Sequence, residues 1–403
     1  MKVTLKDIES AQKTIQNIIV KTPCAYTHST SELIGSEVYL KLENNQRTGS
    51  FKLRGAANKI ASLTDAEKKR GVIACSAGNH AQGVALSSSA SGVKSIIVMP
   101  ETASLSKIQA TKNYGAEVIL HGQMFDESRD HAYALANEKG YVFVHPFEDE
   151  HVIAGQGTIG LEILDQVKDL DSIVIPIGGG GLISGIATTI KAINPKIKIF
   201  GAQVNVVSTM QQLFKNKSFQ PIEHAVSTLA DGIAIKTPSQ IMYDSFIKNL
   251  VDDVVTVTDA QIAEAIVFLI ERVKTIAEGS GAVALAAAMV HKKNLALGKK
   301  TCLLICGGNI DLNIISQVIQ RGQIERGRLC ELSVIAPDVP GSLSKLTQVL
   351  ADQRANVLEV HHDRIRGDLN LKETRIEFVL ETTSHQHIEK IQEALIKLGA
   401  RII

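Results

Sequence analysis

The sequence predicts an α/β protein with two parallel-sheet lobes, followed by a smaller α+β domain of ferredoxin-like plan. From Gly71 to about Cys306, short β-rich runs alternate with helical segments, and glycine turns separate them. Strands that alternate with helices of this length form βαβ units, whose parallel sheets are covered by helices on both faces. Beyond residue 328 a compact β-α-β-β-α order replaces this alternation, which is the split βαβ plan.

The composition favours a soluble globular protein. The chain has 403 residues, of which 44% are apolar and 21% are charged, and its net charge is +1. This balance gives no electrostatic reason to expect nucleic acid or a membrane as a partner. The five cysteines lack C-x-x-C spacing, so they indicate neither a disulfide framework nor a zinc site. The longest apolar run, Ala282–Val290, is too short to span a bilayer. We therefore expect a cytoplasmic protein.

The two parallel-sheet lobes are predicted at residues 1–320, with the smaller lobe at about 54–150 inserted in the larger one. Carboxyl ends of parallel strands are where such sheets bind ligands. The strand candidates, in chain order, are 38–42, 72–75, 95–99, 117–120, 141–144, 172–177, 198–203, 254–257 and 301–306.

The C-terminal domain is predicted at residues 329–403, after a charged, glycine-punctuated linker at 321–328. Its helices show apolar residues on one face, and its strands alternate. The expected elements are strands at 329–336, 356–363 and 373–382 and helices at 342–353 and 385–398.

The stretch Thr48–Gly55 contains the residue on which the predicted chemistry depends. Ser50 is typical of a helix N-cap, which would place Lys52 in the first turn of a helix. The helix dipole and partial burial both disfavour a charged ammonium there. An amine that attacks a carbonyl needs its pKa lowered from about 10.4 toward about 7–8. For a single lysine considered alone, a solvated surface position is the more common outcome.

Three further stretches follow predicted strands. Ser76–Gly83 opens a helix, where backbone N–H groups suit a carboxylate, although such turns are more often structural. Gly178–Gly181 exposes backbone donors suited to a phosphate, but it fits neither the dinucleotide fingerprint nor a P-loop. Cys306–Asn309 ends the last strand of the larger lobe, and its cysteine, taken alone, is equally well a small core residue.

Together these stretches carry a resemblance that spans nearly the whole chain. Six segments resemble, in the same order along the chain, those of the fold-type II pyridoxal-phosphate enzymes. Within these enzymes the resemblance is to the serine/threonine dehydratase family, and most closely to the threonine dehydratases (threonine ammonia-lyases), alongside serine dehydratase and serine racemase. Residues 337–343 resemble an ACT domain. The six segments are Thr48–Gly55, Ser76–Gly83, Gly178–Leu182, Thr228–Gly232, Glu278–Ala282 and Cys306–Asn309.

The resemblance implies a role for each site residue, with pyridoxal 5'-phosphate as cofactor. Lys52 would hold the cofactor as a Schiff base and act as the catalytic base. Phe51 would stack on the pyridine ring, Asn79 would meet the ring hydroxyl, and Cys306 would face the ring nitrogen. The phosphate would lie on Gly178, Gly179, Gly180, Gly181 and Leu182, the substrate carboxylate on Ser76, Gly78, Asn79 and His80, and an effector near Asp338, Gly341, Ser342 and Leu343.

The implied reaction is β-elimination of L-threonine to 2-oxobutanoate and ammonia, and of L-serine to pyruvate. The resemblance also implies a homo-oligomer, dimer or tetramer, that is regulated through the ACT domain, with isoleucine or valine as the favoured effector. We expect no bound metal, because residues 203–209, where similar racemases have a metal loop, contain no carboxylate.

Three alternatives stay open at this point. Serine racemases that resemble this chain have a serine at the position of Ala77, which has no proton to give, so we expect negligible racemase activity. A β-replacement enzyme would add a second nucleophile where a dehydratase releases a keto acid. A non-catalytic amino-acid sensor would not need Lys52. The preference between threonine and serine depends on one methyl group, worth only about 1–3 kcal/mol, and is not predicted.

Overall fold

The computed structural model describes residues 1–224, 226–364 and 369–403. The chain divides into two compact units, Met1–Asp311 and Leu312–Ile403. The first contains two sheets covered by helices, and the second contains one antiparallel sheet with helices. The predicted fold class, α/β lobes followed by an α+β domain, is confirmed. Within the described ranges, no helix is both long and apolar enough to cross a membrane.

The first unit begins with an N-terminal helix and proceeds through the smaller sheet. In chain order its elements up to residue 143 are α1 (Leu5–Ile15), β1 (Cys24–Tyr26), α2 (His28–Ile34), β2 (Glu37–Leu42), α3 (Lys52–Ala61), α4 (Asp65–Arg70), β3 (Val72–Cys75), α5 (Asn79–Ala90), β4 (Ser95–Met99), α6 (Leu105–Asn113), β5 (Glu117–Leu120), α7 (Phe125–Lys139) and β6 (Val142–Phe143).

The remaining elements complete the larger sheet and the second unit. They are α8 (Glu150–Gln166), β7 (Ser172–Pro176), α9 (Gly181–Ile193), β8 (Lys198–Val204), α10 (Thr209–Asn216), α11 (Gln240–Met242), α12 (Lys248–Leu250), β9 (Asp253–Val257), α13 (Asp259–Phe268), α14 (Gly279–His291), β10 (Lys300–Ile305), α15 (Leu312–Glu325), β11 (Leu329–Pro337), α16 (Ser342–Asp352), β12 (Asn356–Asp363), β13 (Glu373–Glu381), α17 (His385–Lys397) and β14 (Arg401–Ile402).

The larger sheet has the order β1-β2-β10-β7-β8-β9. Its strands run parallel except for β1, which pairs antiparallel with β2 at the edge. The smaller sheet, β5-β4-β3-β6, is entirely parallel. Because the ends of parallel strands meet at one edge, Cys306 after β10 and Gly178 after β7 emerge on the same side of the larger sheet.

The second unit has the sheet order β12-β13-β11-β14, with antiparallel pairing throughout. The interval 321–328, which the sequence predicts to be a linker, is partly helical in the structure, because α15 continues to Glu325. The physical reason is apolar residues at helical spacing, of which Val318 is buried. The chain turns only at Gly327, whose φ of +63° favours glycine.

Four charged side chains form a buried network behind the first turn of α3. Arg54 donates to Glu43 at 2.8 Å and to Glu162 at 2.7 Å, and Lys41 donates to Glu162 at 2.6 Å. All four residues are buried. Burial alone would raise the pKa of Glu43, but the adjacent Arg54 guanidinium holds it below its ordinary value. The network therefore joins β2, α3 and α8 through two positive and two negative charges.

Replacing Glu162 with alanine is expected to lower the free energy of unfolding by about 3–5 kcal/mol, because Lys41 and Arg54 would then share one buried carboxylate. The urea midpoint of the first unit measures this change. The control is Glu9→Ala on α1, an exposed glutamate. Equal midpoints for the two variants would contradict the prediction.

Candidate active site

One cavity of about 1080 Å³ lies where strands of both sheets end. Its lining includes residues that directly follow β3, β7 and β10. Every catalytic, cofactor and carboxylate residue predicted in the lobes lines it. These are Phe51, Lys52, Ser76, Gly78, Asn79, His80, Gly178, Gly179, Gly180, Gly181, Leu182 and Cys306.

The lysine stretch is fastened to the end of β10 by backbone hydrogen bonds. The N–H of Phe51 donates to the carbonyl of Cys306 at 3.1 Å, and that of Gly308 donates to Gly49 at 2.9 Å. Ser50 therefore lies in a bridge to residue 307. The prediction that Ser50 caps the helix is wrong, since α3 starts at Lys52 and, among the described residues, the buried Ser50 hydroxyl has no hydrogen-bond partner.

The Lys52 amine is held inside the cavity wall. Its Nζ donates to the carbonyl of Pro146 at 3.0 Å and lies 5.3 Å from the centre of the Phe51 ring. Burial lowers the pKa of Lys52 to about 8, against the attraction of Cys306 and Glu278. The amine thus has a substantial neutral fraction near neutral pH, as a nucleophile or base requires.

The four glycines form a turn that leads into α9. Gly180 has φ +97° and precedes the first helical residue, Gly181. A Cβ on Gly181 would lie 2.9 Å from Phe147, and one on Gly179 would collide with the same ring. The first-turn N–H groups of α9 have no intrahelical acceptor. The turn therefore presents backbone donors to an anion without an obstructing side chain.

The turn after β3 presents a second set of donors at the start of α5. Ser76 Oγ accepts from the N–H of Gly78 at 3.2 Å, which leaves its own hydroxyl proton available. The side chain of His80 is buried and bonded to the carbonyl of Val144 at 2.8 Å. Burial lowers the pKa of His80 to about 3, so the ring is neutral. Any contribution of His80 to anion binding must come from its backbone N–H.

Glu278 was not assigned a role from the sequence, yet it is a central member of the cavity lining. Asn79 Nδ2 donates to Glu278 Oε1 at 2.6 Å, and Asn79 Oδ1 accepts from Asn309 Nδ2 at 2.7 Å. Burial, reinforced by Asp231, raises the pKa of Glu278 to about 8. The amide of Asn79 is thereby fixed with one N–H left for a ligand. The sequence signal that could have identified Glu278 is an acidic residue directly before the small-residue run 279–282.

Cys306 and Ser280 lie together at the base of the cavity. Cys306 Sγ donates to the carbonyl of Ser280 at 3.5 Å, and burial raises the pKa of the Cys306 thiol well above its ordinary value. The Ser280 hydroxyl is buried and has no hydrogen-bond partner within the part of the chain that the structure describes. A neutral thiol and a free hydroxyl can both meet a polar ring atom, but neither supplies a charge to it.

The residues present fit pyridoxal phosphate. The amine of Lys52, with its lowered pKa, suits the aldehyde of the cofactor, the side-chain-free turn before α9 suits the phosphate, and the buried Ser280 hydroxyl suits a polar atom of the ring. The four residues proposed for an effector lie in the second unit, in the turn from β11 to α16. There Asp338 pairs with Arg364 at 3.2 Å, and Gly341 has φ +89°.

Comparisons with known proteins give family matches in both units of the chain. The family model described as pyridoxal-phosphate dependent enzyme matches residues 15–307, and the ACT domain model matches residues 331–400. An L-threonine ammonia-lyase of Thermotoga maritima is 46% identical over 99% of this chain and 99% of its own length.

Two solved structures are similar to most of this chain. A threonine deaminase of Solanum lycopersicum has a TM-score of 0.75 at 35% identity, covering 80% of this chain and 91% of that one. A serine racemase of maize has a TM-score of 0.75 at 33% identity, covering 81% and 99%.

Replacing Glu278 with glutamine is expected to stabilise the cofactor-free protein increasingly as the pH rises from about 5 to 8. The carboxyl binds a proton in the folded state up to a pKa of about 8 but in the unfolded state only to about 4.5, so wild-type stability falls across that interval. Glutamine keeps the acceptor for Asn79 and does not titrate.

Thermal midpoints of wild type and Glu278→Gln, measured from pH 5 to pH 9, test this. Glu264→Gln, at an exposed position of α13, is the matched control. A midpoint difference that does not change with pH would show that the carboxyl is ionised throughout.

Proposed function

The chain belongs to the pyridoxal-phosphate-dependent enzyme family and has a C-terminal ACT domain, and we propose that it is an L-threonine ammonia-lyase. It would convert L-threonine to 2-oxobutanoate and ammonia, and L-serine to pyruvate and ammonia. The observation that carries the proposal is the Lys52 amine, bonded to the Pro146 carbonyl, in a cavity shared with the glycine turn before α9. The full-length similarity to a threonine ammonia-lyase supports the same assignment.

We propose the following distribution of roles around the cofactor. Lys52 would hold it covalently, Phe51 would cover its ring, and the remaining N–H of Asn79 would meet its ring hydroxyl. Cys306 would face the ring nitrogen. The phosphate would rest on Gly178, Gly179, Gly180, Gly181 and Leu182, and the substrate carboxylate on the turn that contains Ser76, Gly78, Asn79 and His80.

Pyridoxal phosphate supplies, when bound, an electron sink that weakens the bonds at Cα of an amino acid. Lys52 Nζ, neutral in good part near its pKa of about 8, would take the α-proton as general base. The neutral Cys306 thiol leaves the sink weaker than a carboxylate would, which favours prompt loss of the β-hydroxyl. Water leaves in the elimination and one water is taken up on hydrolysis, so the net products are a keto acid and ammonia.

Serine racemisation is the second candidate, because a maize serine racemase has a similar structure. Ala77 lines the cavity beside Ser76, and its methyl group cannot exchange a proton with Cα. We therefore propose a lyase without appreciable racemase activity. Residues 203–209 contain no carboxylate, so we propose that no metal acts there, and activity that survives exhaustive chelation would agree.

Purified protein is expected to release 2-oxobutanoate from threonine and pyruvate from serine, with little D-serine. Lys52→Ala should lose the visible cofactor absorption and at least about 10³-fold of the activity, because it removes both the anchor and the base. The control is Lys59→Ala on the same helix, which pairs with Asp149. D-serine formed as fast as pyruvate, or full activity in Lys52→Ala, would refute the proposal.

We further propose that the second unit regulates the first, that the protein is a cytoplasmic homo-oligomer, and that isoleucine or valine is the effector. The ACT match supports regulation by an amino acid, and five free cysteines suit a reducing compartment. An isoleucine effector would fit a role in isoleucine biosynthesis. The N–H groups at the start of α16, beside Gly341, Ser342 and Leu343, would meet the effector carboxylate, and Asp338 its amine.

Isoleucine or valine at millimolar concentration is expected to change the threonine kinetics by severalfold. In Asp338→Ala, the effector concentration needed for half of that change should rise by about tenfold. The loss of one charge-assisted contact has this size. Asp352→Ala, at the opposite end of α16, is the control. Unchanged kinetics with both amino acids would remove this proposal and leave the catalytic one intact.

A further inference from the structure

The segment 144–147, between β6 and α8, carries a histidine that the proposed mechanism does not use. His145 lines the cavity, and its ring lies edge-on to that of Phe147, with the ring centres 4.7 Å apart. The next residue, Pro146, accepts the hydrogen bond of Lys52 Nζ, and Phe147 packs against Gly181. The segment thus touches both the lysine and the glycine turn.

The hydrogen bonds of His145 fix its tautomer. Nδ1 accepts from the backbone N–H of Glu148 at 2.8 Å and from that of Phe147 at 3.3 Å. A nitrogen that accepts from two N–H groups carries no proton, so in the neutral ring the proton is on Nε2. Burial, and the nearby Lys52, lower the pKa of His145, which keeps the ring neutral.

Nε2 is the polar atom of this ring that remains for a ligand. Across the described part of the chain, no hydrogen-bond partner of Nε2 is found, and the ring is only partly buried. A donor that is fixed in place on a cavity-lining side chain needs no reorganisation when an acceptor arrives. The acceptors that the proposed function brings into this cavity are oxygens, of the phosphate group and of the amino-acid substrate.

We propose that His145 is a ligand-contacting residue that donates its Nε2–H to an oxygen of the bound cofactor phosphate or of the substrate β-hydroxyl. The inference rests on the proposed function for the identity of these ligands. The assignment of His145 Nε2 as the hydrogen-bond donor rests on the geometry alone.

His145 also has a structural role that the test must separate. Its Nδ1 holds the N–H groups of Phe147 and Glu148, and so shapes the turn that presents the Pro146 carbonyl to Lys52. An alanine variant would lose this anchor and the donor together, and would not distinguish them.

Two amide variants separate the anchoring role of Nδ1 from the donor role of Nε2. In His145→Asn, the side-chain oxygen can accept from the N–H two residues on, as in an Asx turn, but no donor reaches the position of Nε2. In His145→Gln, the amide nitrogen can reach that position, while the short-range anchor is lost. His145→Ala lacks both. All three are made in the full chain and compared with wild type.

We expect kcat/KM for threonine to fall by about tenfold or more in His145→Asn, close to the value for His145→Ala, and to stay within about threefold of wild type in His145→Gln. Loss of one hydrogen bond to a charged or developing anionic group has this size. The thermal midpoint of the cofactor-free chain should show the opposite order, with His145→Asn close to wild type and His145→Gln lower.

A cofactor titration identifies the acceptor. If the phosphate is the acceptor, His145→Asn raises the dissociation constant for pyridoxal phosphate, measured by visible absorbance, by about the same factor as it lowers kcat/KM. If the β-hydroxyl is the acceptor, cofactor affinity is unchanged and only kcat/KM falls. Wild-type values of both quantities in His145→Asn, together with losses in His145→Gln, would overturn the proposal and leave only the anchor.

Failure of the proposed function would be seen separately. It would appear as wild-type protein that binds the cofactor but makes no keto acid. In that case the cofactor titration, and spectral titration with L-serine, would still decide whether His145 contacts a ligand.

Discussion

The backbone pairing between residues 49–51 and 306–308 is the constraint on which the site depends. β2 and β10 are adjacent parallel strands, so the segments that leave their ends begin side by side. The hydrogen bond from Phe51 to Cys306 then fixes where α3 starts, and with it the position of Lys52. Asn309 extends the same contact by donating to the carbonyl of Thr48 and to Asn79. Residues distant in sequence thereby share one wall of the cavity.

Burial acts in one direction on the titratable groups of that wall. It favours the neutral amine of Lys52, the neutral carboxyl of Glu278 and the neutral thiol of Cys306. We propose that anionic groups of a ligand would be met by backbone N–H donors at the starts of α5 and α9, which stabilise negative charge without themselves titrating.

The sequence predicts the positions of strands well where local signals agree with packing. The bounds of β3, β4, β5 and β12 match the predicted runs, and each predicted lobe residue of the site lines the same cavity. Prediction fails where a long-range contact decides. Ser50 has cap chemistry but pairs with residue 307, and the role of Glu278 depends on Asn79, which lies 199 residues earlier in the chain. Helix α15 was missed because its charged end resembles a linker.

The network of Lys41, Glu43, Arg54 and Glu162 has a consequence for how this protein can vary. Its charges balance only as a complete set, so altering any single member leaves an uncompensated ion out of reach of water. Neutral apolar replacements of similar volume are tolerable only when introduced together. Sequence drift through one-residue steps is thus blocked at these four positions, and related chains should retain the quartet intact or exchange it as a block.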